Sequence, residues 1–290
     1  MSEPIYRPPK PEDAEACGRI VYEAFRCISA QHNFPPDFPS PEAAMGMARA
    51  VCGNPKFFGV VAEADGRLVG SNFLDERDTF AAVGPITVDP AYHGRGVGRR
   101  LMQAVIDRAR ERGAPGVRLV QDAFNRTSMS LYTALGFDVK EPLAFMHGAP
   151  TGRPTPGTEA RPMRDEDLDA CAAICRSVHG FDRTNELRDA IRHARPFVLV
   201  RGGRVRAYAS ATNFPLLSHG VAETEQDLRD LLTGVPPVTG EPTGLLLPAR
   251  QSSLFRWAIA AGLRIVKPMT LMAMGEYRDP RGCWFPSVAY

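Results

Sequence analysis

Residues 85–102 read PITVDPAYHGRGVGRRLM. The first four have the character of a strand end, and Asp89-Pro90 marks a turn. His93–Gly98 then opens a run in which Val97, Leu101, Val105, Ile106 and Ala109 share one helical face. Glycines at such a junction let backbone N–H groups approach an anion. The helix N-terminus adds its dipole and unpaired donors. Arg95, Arg99 and Arg100 bring positive charge to the same place, so the expected ligand is a pyrophosphate. The spacing is not GxxxxGK(S/T). Nor is it GxGxxG after a first strand with an acidic residue downstream, so ATP and dinucleotide readings are weak.

Outward from this stretch the elements alternate. FFGVVAEA and RLVGSNFLDE read as strands joined by a hairpin turn at Asp65-Gly66, and AAVGPITV is a third strand. Upstream, Pro11 opens a helix with Glu12 and Asp13 in its first turn, and Ser40-Pro41-Glu42 starts another. Between these helices lies QHNFPPDFPS, Gln31 to Ser40. Downstream come the strand VRLVQDA, then NRTSMSLYTALGF from Asn125 to Phe137 on a short helix, and the strand DVKEPLAFM.

The two motifs together resemble the GNAT superfamily of acetyl-CoA-dependent acyltransferases. The family's loop pattern, (Q/R)xxGx(G/A), maps onto His93, Gly94, Arg95, Gly96, Val97 and Gly98. Its later pattern maps onto Asn125, Ser128, Tyr132, Gly136 and Phe137. The resemblance covers residues 5–146, and His93 departs from it by standing where the family has Gln or Arg. It implies an α/β (α+β) fold with a mixed, mostly antiparallel sheet and helices on both faces. It also implies acetyl-CoA as acyl donor, with no metal.

By resemblance, Ile86, Thr87 and Val88 pair through backbone with the pantetheine arm, and the Val88 N–H stabilises the thioester oxyanion. The segment from His93 through Arg99 holds the pyrophosphate. Asn125 hydrogen-bonds the pantetheine, Ser128 completes that motif, and Tyr132 protonates the departing CoA thiolate. A bulge at Pro85 is implied too, splaying the strand. No Cys falls in either motif, so direct transfer is expected rather than a covalent enzyme intermediate. A general base must deprotonate the acceptor amine. Asp75, Glu76, Asp78, Asp122, His32 and the C-terminal carboxylate of Tyr290 are candidates. Phe34, Asp37 and Phe38 in the Gln31–Ser40 loop suit a small-molecule acceptor with an apolar body and a cationic amine. The same motifs admit an acetyl-CoA-binding sensor, another acyl-CoA or an oxygen acceptor.

The chain also repeats itself. RPPKPEDAEAC from Arg7 matches RPMRDEDLDAC from Arg161, and GFDVKEPLAFM from Gly136 matches GLRIVKPMTLM from Gly262. HGAPTGRPTPGTEA lies between the copies and reads as a linker. The expected division is a GNAT domain over 1–147, a linker over 148–158 and a second GNAT-like domain over 159–290. In the second copy SHGVAE runs almost directly into EQDLRDLL, so the glycine loop is missing. There Gln251 stands for Asn125 and Ala258 for Tyr132. The second copy therefore reads as catalytically inert.

Composition bounds the rest. Among 290 residues, 44% are hydrophobic and the net charge is only +2, which gives no electrostatic case for nucleic acid or a membrane surface. No apolar run suits a signal peptide or a membrane span. The six cysteines form no CxxC pair and suit a reducing, cytoplasmic setting. Either a monomer or a homodimer fits the internal duplication.

Overall fold

The computed structural model describes residues 3–290. They form two compact units, residues 3–119 with 124–137 and residues 120–123 with 138–290.

The first unit opens with β1 (Ile5–Arg7), α1 (Ala14–Gln31) and α2 (Pro41–Gly53). The hairpin β2 (Phe57–Ala64) and β3 (Arg67–Asp75) follows, then β4 (Ala81–Val83) and β5 (Thr87–Val88). It closes with α3 (Val97–Glu111), the start of β6 (Gly116–Asp122) and α4 (Arg126–Ala134). The order β1-β2-β3-β4 is antiparallel, and β4 runs parallel to β6 through Ala81↔Val117 and Ala82↔Arg118. Side chains alternate across the sheet. Phe73 and Val61 meet Cys17 and Ala48 of the α1–α2 layer, whereas the Asn72 amide reaches the opposite side and donates to the Leu101 carbonyl of α3 at 3.2 Å. Helices thus cover both faces. The two helices of one layer approach closely at Gly18, where a Cβ would lie 2.5 Å from Met45 Cα.

The second unit contains β7 (Asp138–Gly148), β8 (Thr158–Pro162), α5 (Leu168–His179) and α6 (Thr184–His193). Next come β9 (Phe197–Arg201), β10 (Arg204–Ala209), β11 (Gly220–Ala222) and α7 (Glu225–Thr239). Then β12 (Thr243–Pro248), α8 (Ser252–Ala260), β13 (Arg264–Gly275) and β14 (Cys283–Phe285) complete it. One antiparallel sheet runs β14-β11-β10-β9-β8, and a second ladder runs β13-β7-β12. Alternation again sets two layers. Leu199 and Ala207 pack with Leu228 and Leu231 of α7, while Val198 and Tyr208 pack with Cys171, Ile174 and Cys175 of α5.

The division differs from the expected one at β7. That strand, placed by the sequence in the first domain, lies inside the second unit, paired from Asp138 to His147 along β13 and at its far end along β12. The two matching repeat ends are therefore each other's ladder partners. Residues 120–123 join them: the Ala123 N–H donates to the Pro268 carbonyl, and Asp122 pairs with Lys267 at 2.6 Å, both side chains buried. Residues 149–157 carry no helix or strand, yet Thr151 donates to Ala261 O and Thr155 to Asp230 within this unit. Among the described residues no helix is long and apolar enough to cross a membrane.

Candidate active site

The strand preceding the glycine loop breaks where the bulge is expected. β3 pairs Leu74↔Val83 and then Ser71↔Thr87, which leaves an extra residue in the 84–86 stretch around Pro85. Beyond Ala82 no ladder joins this strand to β6 among the described residues, so the edge of Ile86, Thr87 and Val88 away from β3 is not taken by a neighbouring strand. Thr87 Oγ1 is buried there with no hydrogen-bond partner among the described residues.

Gly94 and Gly96 adopt φ of +75° and +80°, and Gly96 caps α3. A Cβ on either would meet nothing within 4 Å, so the loop presents bare backbone to open space. That is what a bulky anion needs, and side chains there would both fill the space and strain the backbone. Val97 is buried as the first residue of α3. Gly98 lies against the rest of the site, for a Cβ on it would sit 3.5 Å from Leu131 Cδ2 and 3.7 Å from Val88 Cγ2. Loop, strand edge and α4 thus converge on one point. Arg99 is exposed, Arg95 lies 5.3 Å from the Tyr92 ring centroid, and Arg100 is engaged with Glu3 at 2.8 Å. His93 holds a contact that the sequence did not signal: its Nε2 donates to the Val88 carbonyl at 3.0 Å. The departure from Gln or Arg thereby braces the strand edge.

Asn125 caps α4, its Oδ1 accepting the Ser128 N–H at 3.1 Å. Ser128 therefore takes part through its backbone. One cap orients both motif residues, and it also starts the helix that carries Tyr132. Tyr132 is buried, its ring meeting Phe137 edge-on at 6.3 Å.

Most of the candidate bases are already committed. Asp75 is bound by Arg77 at 2.5 Å. Glu76 is held by Arg108 at 2.8 Å and Arg112 at 3.2 Å, at the far end of α3 from the glycine loop, where Asp78 also lies. Asp122 carries the Lys267 ammonium. The Tyr290 side chain is buried in the second unit's own core, with its hydroxyl 3.0 Å from His179 Nδ1, a contact of the ring and not of the terminal carboxylate. His32 differs. Its Nδ1 donates to the Ile28 carbonyl at 3.0 Å, which leaves Nε2 as the ring's acceptor nitrogen. Its ring lies 5.0 Å from Phe124, the residue before Asn125, and Phe34 stacks on Phe124 at 4.4 Å. Phe124 went unnoticed in the sequence because it belongs to neither motif; an aromatic residue just before a helix cap was the available signal.

Burial raises Cys171 well above the ordinary thiol range and pushes Cys175 up to about 11. Among the described residues no group of three His, Cys, Asp or Glu side chains is placed to hold a metal.

With this geometry in view, the relatives are informative. Residues 22–137 match the model of the acetyltransferase (GNAT) family. Over 120 residues the chain is 36% identical to the N-alpha-acetyltransferase RimI of Mycobacterium tuberculosis, covering 40% of this chain and 72% of that protein. It is 40% identical over 78 residues to the mycothiol acetyltransferase of Thermomonospora curvata, 27% of this chain but only 26% of the relative's length. Among solved structures, a protein of Pyrococcus horikoshii described as a candidate acetyltransferase superposes with a TM-score of 0.79 at 16% identity, covering 100% of this chain and 96% of that one. A tandem GNAT protein from the clavulanic acid biosynthesis pathway superposes with a TM-score of 0.61 at 15% identity, covering 94% and 98%. The chain belongs to the GNAT acetyltransferase family, and its whole length has the fold of two-domain members.

Proposed function

We propose that this protein is an acetyl-CoA-dependent N-acetyltransferase whose working site lies in the first unit. The observation that carries this reading is the convergence of Val88, Gly98 and the α4 helix beside an open glycine loop. Bare N–H groups from Gly94 to Gly98, with the Arg95 and Arg99 charges, suit the pyrophosphate of CoA. The open edge from Ile86 to Val88 suits the amides of the pantetheine arm, which Asn125 flanks. The Val88 N–H then stabilises the oxyanion formed when the amine attacks the thioester carbonyl. As that adduct collapses, Tyr132 gives its proton to the leaving thiolate. His32, with Nε2 available, takes the proton that the attacking amine releases.

The named relatives differ in kind, one a mycothiol acetyltransferase and the other an N-alpha-acetyltransferase. The aromatic wall of His32, Phe34 and Phe124 favours a small molecule with a flat or apolar body, and Asp37 in the same loop suits its cationic amine. Calorimetric titration of acetyl-CoA into wild type and Gly96→Glu tests the donor site. Binding in the first and none in the second supports it, and no binding by folded wild type refutes it. A screen of aromatic and aliphatic amines against free-thiol release tests the acceptor class.

A further inference from the structure

The second copy contains the same strand edge, but its own chain lies on it. β3 leaves the turn at Asp65-Gly66 and β10 leaves the turn at Gly202-Gly203, so Gly70 and Ala207 occupy matching positions. Gly70 pairs with Val88 and Ser71 with Thr87; Ala207 pairs with Ala222 and Tyr208 with Val221. Residues Gly220 to Ala222 thus stand where Ile86 to Val88 stand in the first unit. Their outer edge is taken by β14 in antiparallel register: Gly220↔Phe285, Val221↔Trp284, Ala222↔Cys283.

The opposite wall matches as well. Gln251 stands at the N-terminal boundary of α8, the position Asn125 holds before α4, but its side chain makes no cap bond. Its Nε2 donates to the Trp284 carbonyl at 2.5 Å, and the Trp284 N–H donates to its Oε1 at 3.4 Å. One carboxamide therefore grips both polar groups of an extended backbone, as strand addition at a sheet edge requires.

The surroundings have been refitted to a peptide. A Cβ on Gly220 would lie 2.3 Å from Phe285 Cε1, so only glycine admits that ring. Ala258, in the place of Tyr132, packs in the same buried cluster as Phe285. Thr224 caps α7 two residues after Ala222, which leaves no room for an anion loop. Past β14, Arg183 donates to the Ala289 carbonyl at 2.8 Å and to Ser287 Oγ at 3.3 Å.

We propose that β14 is a built-in occupant of the second copy's donor slot, standing where the pantetheine arm of acetyl-CoA lies in the first. The proposal rests on reading Ile86–Val88 as the pantetheine edge. A covalently tethered strand competes at a high effective concentration that soluble CoA does not match. The second slot is therefore closed, and each chain binds a single acetyl-CoA.

Hydrogen exchange on the full-length protein, with and without saturating acetyl-CoA, tests this alongside calorimetric stoichiometry. The Trp284 region is expected to be protected in the free protein and unchanged by acetyl-CoA. The segment from Ile86 to Val88 gains protection, and titration ends at one ligand per chain. In Gln251→Ala the Trp284 region is expected to exchange about tenfold faster, with acetyl-CoA binding unaltered. Free exchange of the Trp284 region in wild type would overturn the proposal. So would its release on adding acetyl-CoA, or a stoichiometry of two. Should the variant not fold, the wild-type measurements decide by themselves. Failure of acetyl-CoA to bind at all would remove the proposed activity, yet the protection of Trp284 in the free protein would still be read separately.

Discussion

In the proposed reaction a single atom, the Tyr132 hydroxyl oxygen, carries the acid step. Its ring is buried against Phe137, so Tyr132→Phe keeps the packing and deletes only the hydroxyl. General acid catalysis contributes about 10²–10⁴-fold. Tyr132→Phe is accordingly expected to lower kcat by at least about 10²-fold while calorimetric acetyl-CoA affinity stays within a factor of about two. An unchanged kcat would take Tyr132 out of the chemistry. The proposal of this role starts in the sequence, where Asn125, Ser128 and Tyr132 sit in register. The part of His93 was not legible there, since only the folded loop turns its ring back onto the Val88 carbonyl. Likewise the sequence offered several equal bases. Salt bridges that only the fold forms, such as Lys267 with Asp122 and Arg108 with Glu76, set those carboxylates apart from His32.

Among the elements, the repeated opening turns out to be a brace. Arg7 at the end of β1 forks onto Asp13 at 2.6 and 3.1 Å, and Asp13 also accepts the Lys10 N–H at 2.7 Å. Arg161, near the end of β8, and Asp167 reproduce this at 2.7 and 2.8 Å, with the Arg164 N–H at 2.9 Å. Each brace ties a strand to the start of the next helix, and the match from Arg7 to Arg161 that revealed the duplication records it. The Arg7 hydrogen bond holds the Asp13 carboxyl below the usual aspartate range, against the opposing effect of burial. At Asp167 burial pushes upward, but the Arg161 and Arg164 hydrogen bonds outweigh it. A carboxyl depressed in the folded state stabilises above its unfolded pKa, and that contribution fades as pH falls through the folded value. Urea midpoints measured from neutral pH down past about pH 4, the ordinary aspartate value, should therefore decline. Asp13→Asn is expected to be less stable by about 1–2 kcal/mol at neutral pH, with a shallower decline in acid. A variant that parallels wild type across the range would remove the brace from the account.

For the whole molecule, the duplicated chain has two sheet edges of one design, one open and one covered by β14. If only the open edge takes acetyl-CoA, a hundredfold excess over Kd adds about 2.7 kcal/mol of stability at one site. Thermal melts should show that increment in wild type and none in Gly96→Glu. A shift of equal size in the variant would place the ligand elsewhere. Local features are readable along the chain: two related halves, the glycine loop that opens α3, the cap and tyrosine of α4, and the loss of both from the second half. Glycine spacing, capping residues and hydrophobic period act over a few positions and can be read along the chain. The tertiary structure alone decided which edges were closed. β7 left its own half to ladder with β13, and β14 settled between β11 and Gln251. A strand satisfies its backbone with whatever edge lies beside it in space. Partners that far apart along the chain are therefore not written into either segment.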